Sequence, residues 1–334
     1  MKYARTRGNP GTEPSGGASR GDASGRGGRR ARGRAVAVSS ALVTFLLVLP
    51  GAVPNTPGHV GSLLETFLPW LGLAVPVLLV PALLGRSRTA LVSLLMPAVA
   101  WLILFAVPLF PGSTPEGGLT VVQHNVSDVN PDPAATAGAL ARTGADLIAL
   151  EELTAPALPA YERVLASRYP HRATSGTVGL WSKHPLKEIR PVDIRPEGVG
   201  AGWNRGLRAT ARTPHGEVAV YVAHLPSVRI GPSAGFSSGR RDESAALLGS
   251  ALAAEALDRV ILLGDLNSTV DDRGLDPVTS LMEPPGRGFA FSWPASLPVA
   301  RIDQVLTRSA EVTHVRSLPA TGSDHLPIAA RVVL

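Results

Sequence analysis

The sequence predicts an α/β domain that follows a set of apolar, membrane-spanning segments. Residues 112–334 alternate runs typical of strands with runs typical of helices, which favours an α/β fold. Each apolar segment before them is close to the ~20 residues needed to cross a ~30 Å hydrocarbon core. A chain of 334 residues has room for one large domain or two smaller ones. Because no repeat or change of composition divides 112–334, we expect a single domain there.

The positive charge of the chain is concentrated in its amino-terminal tail. Residues 1–34 carry nine Lys and Arg against two Asp and Glu, whereas the whole chain has a formal net charge of +6. Residues 112–334 hold 21 basic and 23 acidic residues, so their composition lacks the basic surface expected of a nucleic-acid binder. Nucleic acid is therefore not an expected partner. The Gly, Ser, Arg and Pro content of 1–34 predicts a disordered tail.

Three apolar segments predict a membrane anchor over residues 35–111. The first, 35–53, carries no charge, and the others run from about 67 to 84 and from about 90 to 110. Prolines within the later segments are tolerated in membrane helices, where neighbouring groups satisfy the freed backbone. A cleaved signal peptide would explain the first segment alone. The two segments that follow favour an uncleaved anchor of three transmembrane helices.

Lysines and arginines near these segments predict the orientation of the anchor, because short cytoplasmic loops are enriched in them. The basic tail and the turn that holds Arg86 and Arg88 should be cytoplasmic, whereas the loop 54–66 has neither residue type. Three crossings then place residues 112–334 outside. We therefore expect a multi-pass protein of the cell membrane with a cytoplasmic amino terminus, an extracytoplasmic domain and the lipid bilayer as a partner.

Strands and helices of the domain are predicted from apolar and β-branched runs separated by turn signals. The run 260–263, ended by Gly-Asp, is typical of a buried strand that delivers polar side chains to a sheet edge. Helices are predicted over 133–143 and about 241–257. The predicted strands are Leu119–Val126, Asp146–Leu150, Thr177–Ser182, Gly206–Arg212, Glu217–His224, Val260–Asn267, Phe289–Trp293, Ile302–Thr307 and Ile328–Leu334.

Polar residues recur at the ends of these strands. They are Asn125, Glu152, His224, Asp265, Asn267, Asp303, Asp324 and His325. Each alone has an ordinary structural explanation, such as a turn, a helix cap, a solvated charge or a local ion pair. Their succession at the strand ends of one domain favours a single site instead. Asp265 and Asn267 should also point the same way, because side chains alternate with period two on an extended chain.

The carboxylates in this set are typical of a divalent-cation site. Glu152, Asp265 and Asp324 brought together would repel one another and raise their own pKa values, and a bound cation would relieve the repulsion. Mg²⁺ takes hard oxygen ligands and keeps positions for water and phosphate, and Mn²⁺ could replace it. Zinc is less favoured, because the chain has no cysteine and its eight histidines are dispersed. The lack of cysteine also excludes disulfides and thiol nucleophiles, and leaves the redox compartment open.

The remaining side chains suggest acid–base and electrostatic roles. Asp303 and His325 can form a carboxylate–imidazole pair, in which the aspartate fixes the tautomer of the histidine. The histidine would then meet a phosphoryl group as an acid or as a stabilising charge. His224 and Asn267 can donate hydrogen bonds to non-bridging phosphate oxygens, where negative charge accumulates.

These motifs resemble those of the endonuclease/exonuclease/phosphatase superfamily, which includes DNase I-like nucleases, inositol phosphatases and sphingomyelinases. The resemblance covers about 118–334 and follows the order of the family. The motifs are Gln-His-Asn at 123–125, Leu-Glu-Glu at 150–152, Ser-Lys-His-Pro-Leu at 182–186, Ala-His-Leu at 223–225, Gly-Asp-Leu-Asn at 264–267, Arg-Ile-Asp at 301–303 and Ser-Asp-His-Leu-Pro at 323–327.

The resemblance implies a four-layer α/β sandwich, with two mixed sheets face to face and helices outside. It also implies Mg²⁺-dependent hydrolysis by in-line attack of water, with Asp265 aligning or activating that water. In the family's pattern Asn125 and Glu152, rather than Glu151, are metal residues, and we place Asp324 with them.

Two departures from the family pattern lie outside the ligand positions and concern the substrate. Gln123-His124 replaces Thr-Trp, and Gln304 replaces the aromatic residue or histidine that usually follows the aspartate. The anchor joined to this domain resembles a narrower group, the actinobacterial VanJ-type membrane proteins linked to teicoplanin resistance. That resemblance implies a role in envelope lipid-phosphate metabolism, for example dephosphorylation of undecaprenyl pyrophosphate.

The leading hypothesis is a membrane-anchored phosphohydrolase that acts outside the cell membrane on a phosphorylated amphiphile, because an anchored site meets amphiphiles more readily than polymers.

Two loops of the domain have two possible roles. The loops 198–206 and 227–239 either bring Trp203, Ile230 and Phe236 to the membrane interface or are ordinary protein surface. An exported nuclease or phosphodiesterase is the alternative hypothesis, and a catalytically inactive binding module is a third. The sequence leaves open the ester type, the number of metals, the oligomeric state and any protein partner.

Overall fold

The computed structural model of the chain describes residues 20–106, 109, 118–231, 235–285 and 288–334, without the side chains of 20–27 and 29. The helices in this part are α1 Arg20–Val48, α2 Val60–Thr66, α3 Ala74–Leu84, α4 Arg88–Ser93, α5 Leu95–Phe105, α6 Pro133–Arg142, α7 Leu158–Leu165, α8 Gly239–Ala253 and α9 Asp276–Thr279. Short 3₁₀ helices run over Pro50–Ala52, Leu68–Leu73 and Arg273–Leu275. The strands are β1 Leu119–Asn125, β2 Leu147–Glu151, β3 His171–Ser175, β4 Val178–Ser182, β5 Leu186–Pro191, β6 Gly206–Thr213, β7 Gly216–Ala223, β8 Arg229–Gly231, β9 Gly235–Ser237, β10 Val260–Asp265, β11 Asp303–Arg308, β12 Glu311–Ser317 and β13 Ile328–Val333.

Two facing sheets form the centre of the domain. The first has six strands in the order β12-β13-β1-β2-β4-β3, and the second has five in the order β11-β10-β7-β6-β5. Both sheets are mixed, because β1 and β2 run parallel, as do β7 and β10, whereas the other pairs are antiparallel. β8 and β9 form a separate antiparallel hairpin.

Apolar side chains fill the space between the sheets and the space under the helices. Val121, Leu180, Val220 and Leu263 are among those buried between the two sheets. α6 and α7 cover the outer face of the first sheet, and α8 and α9 cover that of the second. Central strands are therefore buried on both faces, which explains the continuous apolar run at 260–263. The α/β sandwich of two mixed sheets is confirmed.

Of the five strands that the sequence pattern missed among the described residues, β8 and β9 form the separate hairpin and the other three lie at the edges of the large sheets. β3 and β12 are the edge strands of the first sheet, and β5 is an edge strand of the second. An edge strand has a neighbour on one side only and carries more polar residues, so its apolar alternation is weak. The strand predicted over 289–293 is wrong, because within it only Trp293 pairs, in an isolated bridge to Ala300.

Two helical stretches before the domain, Arg30–Val48 and Arg88–Phe105, are long and apolar enough to cross a membrane. The helical stretches Val60–Thr66 and Leu68–Leu84 meet at a bend of 72°. They give a third candidate span only if the two together are counted as one span. The described residues therefore offer two or three candidate spans where the sequence predicts three.

The first apolar helix extends further toward the amino terminus than expected. α1 begins at Arg20, within the tail for which the sequence predicts disorder over 1–34. The arginines of 20–34 have high helix propensity, but the five glycines of this stretch do not, so helix propensity alone does not explain the extension. Residues 1–19 lie outside the described part of the chain.

The apolar helices pack together in two clusters. The first joins α1, α3 and α4, and its buried residues are Val36, Ala82, Ala90 and Leu94. The second lies about three turns further along α1, and its buried residues are Leu47, Leu68 and Phe105. Phe289 of the domain packs against this second cluster. Most exposed large apolar side chains of the described residues belong to these helices and the turns between them.

Polar and aromatic contacts join the segment between α1 and α3 to the sandwich. The buried carboxylate of Glu65 accepts a hydrogen bond from the Arg273 guanidinium at 2.6 Å and another from its main-chain N–H at 3.0 Å. Arg273 also donates to main-chain oxygens of the turn after α1. Trp70 Nε1 donates to the main-chain oxygen of Val299 at 2.7 Å, and its ring stacks on Phe291 with centroids 5.6 Å apart. The sandwich is therefore fastened to the helices by an ion pair and an aromatic stack.

Candidate active site

Most of the predicted site residues meet at one rim of the sandwich, where β1, β2, β7 and β10 end. Asn125 is the last residue of β1 and Asp265 the last of β10, whereas Glu152 and His224 directly follow β2 and β7. Asp265 pairs in register with Asp303, the first residue of β11. Because β1 and β2 run parallel, as do β7 and β10, their carboxyl ends bring these side chains to one edge.

Asp265 lies at the centre of the site and is almost wholly buried. Its Oδ2 accepts a hydrogen bond from Asn125 Nδ2 at 3.0 Å, and it lies 3.6 Å from His224 Nε2 and 3.8 Å from His325 Nε2. Burial raises the pKa of Asp265 to about 7, although the charge of His325 opposes the shift. A carboxylate with that pKa can accept a proton near neutral pH. Gly264 allows this close packing, since a Cβ there would overlap the main-chain oxygen of Ala223.

Asp303 and His325 lie in contact, with Oδ2 and Nδ1 2.8 Å apart. Burial alone would lower the pKa of His325, but the carboxylates of Asp303 and Asp265 raise it to about 10. Burial would likewise raise the pKa of Asp303, but the charge and hydrogen bond of His325 hold it below its ordinary value. The two residues therefore form an ion pair at neutral pH.

His224 is buried between a carboxylate and a guanidinium. Its Nε2 lies 3.8 Å from Glu152 Oε1, and its two ring nitrogens lie 3.3 and 3.4 Å from an Arg205 guanidinium nitrogen. Burial, followed by the charge of Arg205, lowers the pKa of His224 well below its ordinary value, so the imidazole is neutral. Glu152 Oε2 accepts a hydrogen bond from the main-chain N–H of Asp128 at 3.1 Å. His224 thus offers a neutral imidazole rather than a positive charge.

Asn267 is placed by a turn rather than by strand alternation. β10 ends at Asp265 and Asn267 has a φ of 48°, so the argument that an extended backbone points both side chains the same way is wrong. The main-chain N–H of Asn267 donates to Asp265 Oδ1 at 2.9 Å, as in an Asx-turn. Its Nδ2 donates to the main-chain oxygen of Leu225, the residue after His224, at 2.9 Å. Asn267 therefore joins the loops that follow β7 and β10.

The acidic group that the fold brings together differs from the predicted one. Asp265, Asp303 and His325 are buried and have their ligand atoms within 4.8 Å of one another. Glu152 is only partly buried, and Asp324, predicted to be a metal residue, is exposed. The charge of Asp324 nevertheless contributes to the raised pKa of His325.

The chemistry of the donor set fits a divalent cation. Two buried aspartates face one buried imidazolium, which leaves a negative charge that burial makes costly. The carboxylate of Glu152 lies beside His224 and adds oxygen ligands of the kind that Mg²⁺ prefers, whereas the Asn125 amide turns its nitrogen to Asp265 and its oxygen to the main-chain N–H of Ser127. The residues at this rim could therefore hold a cation.

Two buried residues that were not predicted as site residues extend the network. Gln123 Nε2 donates to Asp303 Oδ1 at 3.0 Å and to Glu151 Oε2 at 2.7 Å. Burial, followed by the charges of Asp303 and Asp265, raises the pKa of Glu151 well above its ordinary value. The sequence marks Gln123 as a departure from the family pattern. It does not show that the Gln123 side chain contacts Glu151 and Asp303, which only the fold reveals.

The two facing mixed sheets and the buried acid–imidazole group at their rim define an α/β sandwich of the phosphoester-hydrolase class. The model of the Endonuclease/Exonuclease/phosphatase family matches residues 116–325, more than half of the chain, and the chain belongs to that family. Members of the family are phosphoester hydrolases, which supports a hydrolase here. None of the curated proteins compared with the chain matches it.

Several solved structures are similar to the sandwich. An endonuclease/exonuclease/phosphatase from Bacteroides vulgatus is 15% identical with a TM-score of 0.54, over 66% of this chain and 100% of that one. Sphingomyelinase C from Streptomyces griseocarneus is 19% identical with a TM-score of 0.50, over 65% and 99%. TDP2 from D. rerio, solved with a single-strand DNA product, is 17% identical with a TM-score of 0.52, over 66% and 100%. Identities this low indicate a shared fold.

Proposed function

We propose that the chain is a membrane-anchored, divalent-metal-dependent phosphohydrolase with an extracytoplasmic active site. Its proposed substrate is a lipid-linked phosphate or pyrophosphate of the cell envelope. The observation that carries this proposal is a buried acid–imidazole group in a domain that is fastened to apolar helices. Such an arrangement brings hydrolytic chemistry close to the surface where amphiphiles reside.

The proposed catalytic roles follow from the protonation states of the side chains. Asp265, whose pKa burial raises to about 7, accepts a proton from the attacking water. His325, kept charged by Asp303, stabilises the negative charge that develops on the phosphoryl group. His224 donates a hydrogen bond to a phosphate oxygen as a neutral imidazole. One hydrogen of Asn267 Nδ2 is bonded to the main-chain oxygen of Leu225, and the second hydrogen donates to a phosphate oxygen.

Mg²⁺ is the proposed cofactor, and Mn²⁺ would suit the same oxygen ligands. Asn125, which contacts the buried Asp265, is a proposed metal residue together with Glu152 and Asp324. When bound, the cation supplies positive charge to the phosphoryl oxygens. It would also offset the negative charge that the buried carboxylates concentrate at this rim.

The proposed topology places the amino terminus in the cytoplasm and the sandwich outside. The loop 54–66, which has no lysine or arginine, contacts the sandwich through the ion pair of Glu65 with Arg273. The positive-inside rule favours the outside for such a loop, and a domain in contact with it lies on the same side. The packing of Phe289 against the helix end at Phe105 supports the same arrangement.

Undecaprenyl pyrophosphate is the particular substrate that we propose, with a contribution to teicoplanin resistance as the expected consequence. The support for this step is the resemblance of the anchor and domain to the VanJ-type membrane proteins. A polyprenyl pyrophosphate presents its phosphates at the bilayer surface, within reach of a site held beside membrane helices.

A membrane-tethered nuclease or phosphodiesterase is the second candidate. Arg205, Arg229 and Arg240 line a cavity next to the site, and a phosphodiester backbone would suit them. The composition of 112–334, with 21 basic and 23 acidic residues, disfavours an extended track for a nucleic acid.

A phosphate-release panel separates these candidates. Full-length protein in detergent with Mg²⁺ is expected to release phosphate from polyprenyl pyrophosphate and to leave DNA intact. Asp265→Ala should lower the rate by about 10²–10³-fold or more, because it removes an electrostatic group from the reacting centre. EDTA should abolish the activity, and added Mg²⁺ should restore it.

The matched control is Asp193→Ala, which removes an exposed aspartate paired only with Arg195 and should retain the activity. Cleavage of DNA without phosphate release from any lipid would contradict the proposal and favour the nuclease. Full activity of Asp265→Ala would contradict the assigned site.

A further inference from the structure

A cavity of about 630 Å³ lies beside the catalytic rim. Its walls come from four parts of the chain: the loop before β6, the segment from the end of β7 through β9, the start of α8 and the segment between α1 and α3. The lining residues that matter for its chemistry are Arg205, Arg229, Arg240, Trp203, Gly239 and His59.

The arginines of this cavity lack acidic partners. Among the described residues, no carboxylate oxygen forms an ion pair with Arg205, Arg229 or Arg240, and none of the lining residues is acidic. The buried arginines Arg208 and Arg241, by contrast, are each paired with a buried carboxylate. Among the described residues, ion pairs therefore leave Arg229 and Arg240 without a carboxylate, whereas the charges of Glu152, Asp265 and Asp128 act on Arg205 from the catalytic side.

Arg205 connects the cavity to the catalytic site. One of its guanidinium nitrogens lies 3.3 Å from His224 Nδ1, while the same side chain lines the cavity. The guanidinium also lies over the Trp203 ring, 5.1 Å from its centroid, which restrains its orientation. An anion bound by Arg205 would therefore lie next to the group that His224 contacts.

The start of α8 adds a second source of positive potential. α8 begins at Gly239 on the cavity wall, and the side chain of its N-cap residue, Ser238, makes no capping hydrogen bond. The first N–H groups of a helix are free donors, and they carry the positive end of the helix dipole. They favour an anion in the same cavity as the arginines.

The wall opposite the catalytic site belongs to the membrane anchor. His59, in the segment between α1 and α3, lines the cavity, and its Nδ1 lies 2.9 Å from Ser238 Oγ. The main-chain N–H of Phe236, in β9, donates to the oxygen of Gly58 at 2.8 Å. Phe236 is buried, whereas Ile230, the other apolar residue named in the loop 227–239, is exposed. The cavity thus lies between the catalytic rim and the anchor.

We propose that this cavity binds the non-scissile phosphate of a diphosphate substrate. The inference rests on the proposed function and assigns the part of the chain that binds the second phosphate of a lipid diphosphate. The terminal phosphate lies at Asp265 and His325, and the phosphate that carries the lipid lies among Arg205, Arg229 and Arg240. The lipid chain then leaves the cavity on the side of the anchor.

The charge balance of the reaction explains the position of the arginines. Water attacks the terminal phosphorus, and the bond from that phosphorus to the bridging oxygen breaks. The electron pair stays with the bridging oxygen on the lipid phosphate, whose negative charge rises by one, and the water proton passes to Asp265 and then to solvent. The products are a lipid monophosphate and inorganic phosphate. Arginines placed on the leaving phosphate stabilise the charge that it gains.

The double variant Arg229→Gln/Arg240→Gln tests this assignment, because both side chains are exposed and neither contacts the catalytic residues. We expect the ratio of kcat/KM for polyprenyl diphosphate to kcat/KM for polyprenyl monophosphate to fall by about 10–100-fold, as for the loss of charge-assisted hydrogen bonds. Arg316→Gln is the matched control, since it removes an exposed arginine from β12 and should keep the wild-type ratio. An unchanged ratio in the double variant would overturn the inference.

A binding measurement separates this inference from the proposed function. Calorimetry on the full chain in detergent, with EDTA present, compares methylenediphosphonate with methylphosphonate. Tighter binding of the diphosphonate that is lost in the double variant and kept in Arg316→Gln supports the cavity, even if no lipid is hydrolysed. Equal binding of the two phosphonates would overturn it.

A membrane headgroup is the other source of phosphate that the arginines could contact. Vesicles of neutral lipid with and without phosphatidylglycerol distinguish the two sources. If the double variant loses only its preference for phosphatidylglycerol vesicles and keeps the diphosphate ratio, the cavity recognises the membrane surface and the inference is wrong.

Discussion

Asp303 determines the charge of His325, the proposed catalytic histidine. It lies 2.8 Å from His325 Nδ1, and together with Asp265 it raises the pKa of His325 to about 10 against the effect of burial. In Asp303→Asn the carboxylate charge is lost while the shape is kept, so we expect the pKa of His325 to fall toward its ordinary value of 6.5. Nitrogen NMR of the metal-free protein between pH 5 and 11 measures this shift, with His325→Gln to assign the resonance.

The same substitution should move the activity profile. A histidine with a raised pKa keeps its charge until the pH rises through that pKa, so the wild-type enzyme retains its imidazolium far above neutrality. The variant should lose it through the neutral range, and the alkaline limb of kcat/KM should move to lower pH. An imidazole that still titrates near 10 in Asp303→Asn would contradict this role for Asp303.

For individual residues, the sequence predicts which side chains form the site better than it predicts the contacts between them. Asp265, Asp303 and His325 are identified by motif and lie together in the fold. Glu151 and Arg205 were missed, because a buried acid next to a predicted ligand and an arginine in a loop carry no pattern of their own. Their roles depend on contacts between segments far apart in the chain, such as that of Gln123 with Asp303.

A buried ion pair fastens the end of α8 to the second sheet. Glu255 receives two hydrogen bonds from Arg208 on β6, both 2.9 Å long, and a third from Tyr221 on β7 at 2.8 Å. Both charged side chains are nearly buried, with exposed fractions of 5% for Arg208 and 3% for Glu255. This contact holds α8, and with it one wall of the basic cavity, against the strands that lead to the catalytic rim.

Glu255→Gln should lower the free energy of unfolding of the sandwich by about 3 kcal/mol at pH 7, because it leaves the buried Arg208 charge without its main partner. Burial would raise the pKa of Glu255, but its hydrogen bonds, those from Arg208 above all, lower it to about 2. Since the folded pKa lies below the unfolded value of 4.5, the stabilisation is present above pH 4.5 and is lost as the pH falls from 4.5 toward 2. Unfolding curves at pH 7 and pH 3 should therefore show a smaller difference between wild type and variant at pH 3.

Glu217→Gln is the control for this prediction. Glu217 on β7 pairs with Lys187 in an exposed ion pair, with 41% of the glutamate side chain accessible. Exposed pairs contribute about 0–1 kcal/mol, so this variant should unfold close to the wild type at both pH values. A loss in Glu217→Gln as large as that in Glu255→Gln would contradict the argument from burial.

Among the elements, the central strands are predictable, whereas of the four edge strands of the two large sheets β11 is predicted and β3, β5 and β12 are not. β10 is buried along its whole length and appears in the sequence as a continuous apolar run, whereas β5 is mostly exposed and has no such pattern. The strand predicted at 289–293 is apolar for another reason, since Phe289 and Phe291 pack near Trp70 of the anchor. A short apolar run indicates burial, and the buried partner need not be a sheet.

For the whole molecule, the proposed topology can be tested because the chain has no cysteine of its own. Single cysteines can therefore be introduced at the exposed positions Glu311 in the sandwich and Thr89 at the start of α4. A membrane-impermeant maleimide should label Glu311→Cys in intact cells, and Thr89→Cys only after permeabilisation. Labelling of Glu311→Cys only after permeabilisation would place the sandwich in the cytoplasm and contradict the proposed function.

The composition predicts that apolar helices precede the α/β domain, but it does not predict the contact between the helices and the domain. Residues 54–66 have the composition of a short connecting loop, and Glu65 in that loop has no motif around it. The residue becomes informative only when the fold brings Arg273 to it. The segment between α1 and α3 also supplies His59 to the basic cavity, so it belongs to the proposed substrate site.

The ion pair between Glu65 and Arg273 limits the movement of the sandwich relative to the apolar helices. A domain on a flexible linker could take many orientations relative to the membrane. A domain held to its helices by the Glu65–Arg273 ion pair and the Trp70–Phe291 stack keeps one distance from the helices and one orientation. Once those helices are in a bilayer, the site is presented only to molecules in the same leaflet. Turnover should then follow the mole fraction of substrate in that leaflet rather than its bulk concentration. A soluble fragment of the sandwich would lose that confinement even with every catalytic side chain in place.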